Sequence, residues 1–168
     1  FMFFITGSNT SRIFTFISPD REPLGAGYHI IQSKIAVGSG GVWGKGYLQG
    51  TQSKLHFLPA QHTDFIFAVL GEEWGFVGCG VILGLYLALI LWGLTRGVRT
   101  QDRYGAIIAF GVTAMIFWHV VINVGMVLGM MPVVGLPLPF LSYGGSSAVV
   151  TLIGIGLLLN VRARRYIF

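Results

Sequence analysis

The chain has 168 residues, of which 54% are hydrophobic and only 10% charged, with a mean hydropathy of +0.74. An ordinary soluble domain carries about 25% charged residues, so the composition excludes a water-soluble globule and defines a polytopic membrane protein. The 11 Lys+Arg against 6 Asp+Glu read as positive loops on the cytoplasmic side. With no basic run longer than Arg164-Arg165, a nucleic-acid partner is not expected. The single cysteine, Cys79, excludes a disulfide framework and a Cys-based metal site.

In chain order, residues 1–5 (Phe1 to Ile5) are apolar but too short to span, and are expected to be the end of a truncated membrane helix. Residues 6–73 form a long segment expected on the outer side of the membrane. Within it, Gly27 to Val37 has an amphipathic pattern, with Tyr28, Ile31 and Ile35 on one face and His29, Gln32, Ser33 and Ala36 on another. That predicts a short helix lying on the membrane surface. Gly38-Ser39-Gly40-Gly41, then Gly44, Gly46 and Gly50, predict a mobile loop. A phosphate-loop reading fails there, because position 39 is Ser and Lys45 is followed by Gly46.

Asp64 stands where this segment enters an apolar helix. It can be an N-cap, accepting backbone N–H bonds at the positive helix end. It can also be a partly desolvated carboxylate at the membrane edge, competent as a base. Glu72 and Glu73 follow at the start of the charge-free run; interfacial solvation, or pairing with an Arg or Lys on a helix outside this sequence, would account for them.

Three spans are predicted over residues 74–168: Trp74 to Leu94, Tyr104 to Leu128 and Phe140 to Val161, none of them containing a charge. Arg96, Arg99 and Arg103 in one turn, and Arg162, Arg164 and Arg165 in the tail, place both on the cytoplasmic side with the C-terminus. Gly71/Gly75, Gly80/Gly84 and Gly125/Gly129 are four-residue small-residue steps suited to close helix packing. His119 and Asn123 are an i, i+4 polar pair best read as an interhelical hydrogen-bonding site. Three prolines and Gly135 between Met131 and Pro139 forbid regular helix. With Ser142 to Ser147, residues 131–147 are expected to form a re-entrant segment facing a polar cavity, or else a packed outer loop.

Three passages carry a resemblance: GAGYHIIQSKIAVGSGGVWGKGYLQGTQSKLHFLP at 25–59, HTDFIFAVLGEEWGFVG at 62–78 and MPVVGLPLPFLSYGGSS at 131–147. In them the chain resembles the C-terminal half of the SEDS family (shape, elongation, division and sporulation), in its RodA-like branch. The resemblance implies an all-α membrane helix bundle of about ten spans in the bacterial inner membrane. It implies an enzyme that polymerises lipid II, an undecaprenyl-diphosphate-linked disaccharide peptide, into peptidoglycan glycan strands beside a class B penicillin-binding protein transpeptidase. It puts the family's catalytic carboxylate on Asp64, preceded by Thr63, and its serine-rich motif on Ser142 to Ser147. The family often has Glu where this chain has Ala60, which removes an acidic role at that position. Other polar residues of the family lie in its N-terminal half, so this chain alone is expected to be inactive.

The implied chemistry is attack of an acceptor sugar hydroxyl on the anomeric carbon of a donor, with inversion and departure of a lipid diphosphate. Asp64 would be the general base. Lys34, Lys45 and Lys54 could stabilise the diphosphate, or a divalent cation (Mg or Mn) could do so. Gln32, Ser33 and Gln52, with Thr63, Ser142, Ser146 and Ser147, are the remaining candidate substrate contacts. A lipid II flippase, or a non-catalytic membrane scaffold for the transpeptidase, would use the same spans. Both rivals would tolerate loss of the Asp64 charge.

Overall fold

A computed structural model describes residues 26–47, 49 and 64–164. The described residues form four helices: α1 (Ala26–Gly40), α2 (Ile66–Arg99), α3 (Arg103–Val127) and α4 (Gly145–Arg164). The regular elements of the described residues are all helices, the architecture of a polytopic membrane bundle. Two of its helices, α2 and α3, are long and apolar enough to cross a membrane, and the apolar stretch of α4 runs from Gly145 to Val161.

Helices α2 and α3 pack antiparallel, joined by the short turn Thr100–Asp102. Their contact is built from small residues. A Cβ on Gly93 would stand 2.3 Å from Thr113 Oγ1, and Gly97 is covered by the Phe110 ring. In lipid no hydrophobic force drives helices together, so close approach at small residues supplies the packing. The buried stripe on α3 runs Gly105, Ala109, Thr113, Ile116, Val120, Asn123 and Val127, one face at helical spacing. Large apolar side chains such as Phe76, Leu85, Ile107 and Leu152 point outward.

Helix α1 packs across α2 and α3 through its small-residue face. Ile30, Ser33, Ala36 and Gly40 are buried, while Ile31 and Ile35 are 40% and 48% exposed. The two faces of the amphipathic pattern thus separate as the sequence divides them, with Ser33 and Ala36 against the bundle, because small residues, not branched ones, permit the close crossing. A Cβ on Gly40 would overlap the Gly71 carbonyl.

Helix α2 begins at Ile66, inside the stretch expected to be outer loop, and is broken at Gly75 (φ 64°, ψ −163°). The break frees backbone groups on both sides, and residues 41–46 satisfy them. Lys45 and Gly46 N–H donate to the Glu72 and Glu73 carbonyls (3.0 Å each), while Phe76 and Val77 N–H donate to Gly41 and Val42 carbonyls (2.9 and 3.2 Å). The glycine-rich stretch is therefore a docked clasp, where a mobile loop was expected. Glycine is required at the crossing, since a Cβ on Gly75 would lie 2.3 Å from Gly44 N and 2.7 Å from the Val42 carbonyl oxygen. Trp43, Tyr47, Trp74 and Phe76 stand exposed around the clasp, an aromatic grouping of the kind that marks a membrane–water boundary.

The last span is helical only from Gly145; residues 128–144 are irregular. Phe140, expected to open that span, has φ 67°, a left-handed conformation that ends any helix there and costs about 1–2 kcal/mol.

Candidate functional site

The site lies where the start of α2, the end of α3 and the Pro/Gly segment meet. Asp64 is half-buried and directly precedes α2. It is not the N-cap. That position is Phe65, which makes no side-chain capping bond, and the first helical N–H groups, of Ala68 and Val69, donate to the Phe65 carbonyl. The capping reading of Asp64 is thus corrected: the conformational turn into the helix falls one residue later.

What holds Asp64 is its backbone. The fully buried Asn123 side chain donates through Nδ2 to the Asp64 carbonyl (3.0 Å) and to the Leu136 carbonyl (2.7 Å). One amide group thereby joins the entrance of α2 to the Pro/Gly segment. Gly135 completes the seam: it has φ 72°, and a Cβ there would come within 3.3 Å of Asp64 Oδ2. The sequence pattern marked Asn123 as a hydrogen-bonding residue, and its partners prove to be backbone carbonyls of two segments. Its i−4 neighbour His119 bonds instead within its own helix, Nδ1 to the Met115 carbonyl at 2.8 Å.

The Pro/Gly segment is pinned again further along. The Tyr86 hydroxyl, buried in the middle of α2, donates to the Pro139 carbonyl. Ser142 N–H donates to the Leu138 carbonyl (3.0 Å), and Leu138 N–H donates to Ser142 Oγ (2.7 Å). This reciprocal pair closes the turn that carries Phe140. Beside it a cavity of about 220 Å³ is lined by Met115, His119, Pro137, Pro139, Ser146, Ser147, Val150 and Thr151.

The candidate contacts divide accordingly. Ser33 is fully buried, and its single hydroxyl proton is shared between the Ile30 and Val127 carbonyls, 2.9 and 2.8 Å away. It satisfies the C-terminal end of α3 and does not present itself to a ligand, a correction of its expected role. Ser142 is likewise buried and spent on the Leu138 turn. Ser147 lines the cavity while its hydroxyl donates to the Gly144 carbonyl, and Ser146 is exposed at the same rim. Gln32 is half-buried on α1. Lys34 is exposed, with its Cε and Nζ lying over Gly129 just beyond the end of α3. Lys45 pairs with Glu72 at 2.9 Å, and the Glu72 side chain is 1% exposed. The cation for Glu72 thus comes from the clasp, which commits Lys45 to the fold. Gln52, Lys54, Thr63 and Ala60 lie outside the described residues. Among the described residues no three His, Cys, Asp or Glu side chains come together, so they form no metal cage.

At the opposite end, Asp102 is an N-cap, accepting from Tyr104 and Gly105 N–H at 3.1 and 3.2 Å. Arg96 lies over the Trp92 ring, 5.5 Å from its centroid.

Fold and site define a membrane helix bundle with a backbone-held carboxylate at one end. Comparison with known proteins gives the family. The model described as "Cell cycle protein", FTSW_RODA_SPOVE, matches residues 1–167. The chain is 53% identical over 154 residues to the peptidoglycan glycosyltransferase MrdB of Escherichia coli K12, covering 92% of this chain and 42% of that protein. It is 53% identical to the peptidoglycan glycosyltransferase RodA of Treponema pallidum (92% and 36% covered), and 48% identical to the stage V sporulation protein E of Bacillus subtilis (92% and 42%). Among solved structures it is similar to a chain of a peptidoglycan synthase complex studied for polymerization and crosslinking (TM-score 0.75, 34% identity, 95% of this chain and 43% of that one). It is also similar to the rod shape determining protein RodA of Thermus thermophilus (TM-score 0.61, 42% identity, 74% and 38%). The chain belongs to the FtsW/RodA/SpoVE family. It spans about two fifths of the length of the curated relatives it matches.

Proposed function

We propose that the protein carrying this chain is a peptidoglycan glycosyltransferase of the cell-elongation machinery, polymerising lipid II with Asp64 as general base. The observation that carries this reading is the state of Asp64. Its backbone is fixed by Asn123, while its carboxylate is not spent on capping α2. In the reaction the acceptor sugar hydroxyl gives its proton to Asp64 as its oxygen bonds the anomeric carbon. The bond from that carbon to the diphosphate oxygen breaks with inversion, and the lipid diphosphate leaves with the electron pair. General-base assistance of this kind is worth about 10²–10⁴-fold.

Of the candidate lysines among the described residues, Lys34 remains to meet the diphosphate, since Lys45 is paired with Glu72. The described residues offer no cage for a divalent cation, and no step is assigned to one. The Asp64 end is placed on the outer face and the arginine-rich end in the cytoplasm by the positive-inside rule. A class B penicillin-binding protein is the proposed partner, supported by the similarity to a peptidoglycan synthase complex.

The test is glycan polymerisation by the full-length protein with its transpeptidase partner and lipid II, comparing wild type with Asp64→Asn. Loss of polymer from an intact complex supports the enzyme reading. Undiminished polymer would favour a flippase or scaffold and place the chemistry elsewhere.

A further inference from the structure

Asn123 is the one fully buried side chain of α3 whose hydrogen bonds leave its own helix for two other segments. Both partners are carbonyl oxygens, which accept only, so the amide orientation is set: Nδ2 faces them. No described residue donates to the Oδ1 atom, which is buried. A buried amide in an apolar bundle is not the most stabilising occupant of such a position; a leucine or methionine would cost no desolvation. Its two donors do something an apolar residue cannot. They fix the distance between the Asp64 backbone and the Leu136 backbone, with Gly135 leaving only a narrow gap beside Asp64 Oδ2.

We propose that Asn123 is a positioning residue for the Asp64 carboxylate, acting through the Asp64 backbone and not through substrate. The proposal rests on the reading of Asp64 as the base. With the Asp64 carbonyl anchored, the carboxylate has only its side-chain torsions left to vary, and the Pro/Gly segment closes one side of that range. Releasing the anchor lets the carboxylate move relative to the acceptor hydroxyl. A misplacement of about 1 Å costs on the order of 10²-fold in rate.

The experiment measures lipid II polymerisation by the full-length protein with its transpeptidase partner. It compares wild type, Asn123→Ala, Asp64→Glu and the double variant, with Asn123→Ser as the milder substitution should the alanine variant not fold. Asn123→Ala is expected to lower kcat by roughly 10- to 100-fold and to leave KM for lipid II within about 3-fold. In the Asp64→Glu background, where the carboxylate is already displaced by a methylene, the same substitution should cost less than about 3-fold, because the two changes act on one property. An equal factor in both backgrounds would assign Asn123 a purely structural role and overturn the proposal. So would an unchanged kcat for Asn123→Ala alongside an inactive Asp64→Asn enzyme. A fully active Asp64→Asn enzyme would instead defeat the reading on which the proposal stands.

Discussion

Two aspartates stand just ahead of the two longest helices, and they live differently. Asp102 enters α3 as a cap: its carboxylate accepts from two N–H groups of its own helix. Asp64 enters α2 one residue too early to cap it, and is held by a side chain from α3. The difference extends through both regions. The arginine-rich end follows local rules, with caps and small-residue contacts. At the Asp64 end the backbone is irregular, and its polar groups are satisfied by segments distant in sequence. Irregular backbone at membrane depth persists only where other protein groups satisfy it, and fixed irregular backbone is what a precisely placed carboxylate requires.

The comparison can be broken most forcefully at the clasp. Gly75→Ala puts a Cβ into Gly44 and Val42 at a residue that also has positive φ. Its φ 64°, ψ −163° lies in a region essentially reserved for glycine, so the strain alone costs about 1–3 kcal/mol, and the backbone overlap adds to it. The expected outcome is failure of the full-length protein to accumulate in a folded form, read by its yield and monodispersity in detergent.

A smaller effect is expected at the ion pair beneath the clasp. Lys45→Met removes the cation 2.9 Å from the buried Glu72 carboxylate, and because Lys45 is 29% exposed the loss stays below the roughly 3–5 kcal/mol of a fully buried pair broken from one side. Thermal unfolding should show it, and Lys45→Met with Glu72→Gln should unfold at a higher temperature than Lys45→Met alone. Equal stability of the two would mean that the pair does not hold the clasp.

Much of this was legible in the sequence, in proportion to how local the cause is. The apolar helices α2 and α3 followed from composition, whereas the third span, read from Phe140, is helical only from Gly145; Asp64 stood out by its place at a helix entrance and by the family motif around it. The irregular backbone from Met131 to Pro139 followed from its prolines, while residues 145–147, expected in the same segment, already belong to α4. The clasp was misread because glycine signals freedom when seen alone; its true role, admitting a close backbone crossing, depends on Gly71 and Gly75 being opposite. That α1 packs through Ser33 and Ala36 was not legible, because the rule that apolar faces turn inward loses force where the solvent is itself apolar. Ser33 and Lys45 were read as ligand contacts because their partners, Val127 and Glu72, lie far along the chain. The Asn123 bond to Asp64 spans 59 residues, and no periodicity reveals such a pairing.

The central claim is that Asp64 serves chemistry while Asp102 serves the fold. One paired measurement tests it: thermal stability and lipid II polymerisation of Asp64→Ala and Asp102→Ala in the full-length protein. Asp102→Ala should lower stability by about 1 kcal/mol, the worth of an N-cap, and leave polymerisation near wild type. Asp64→Ala should leave stability nearly unchanged and reduce polymerisation by about 10²-fold or more. The reverse pattern, a destabilised but active Asp64→Ala protein, would make Asp64 a structural residue and contradict the account.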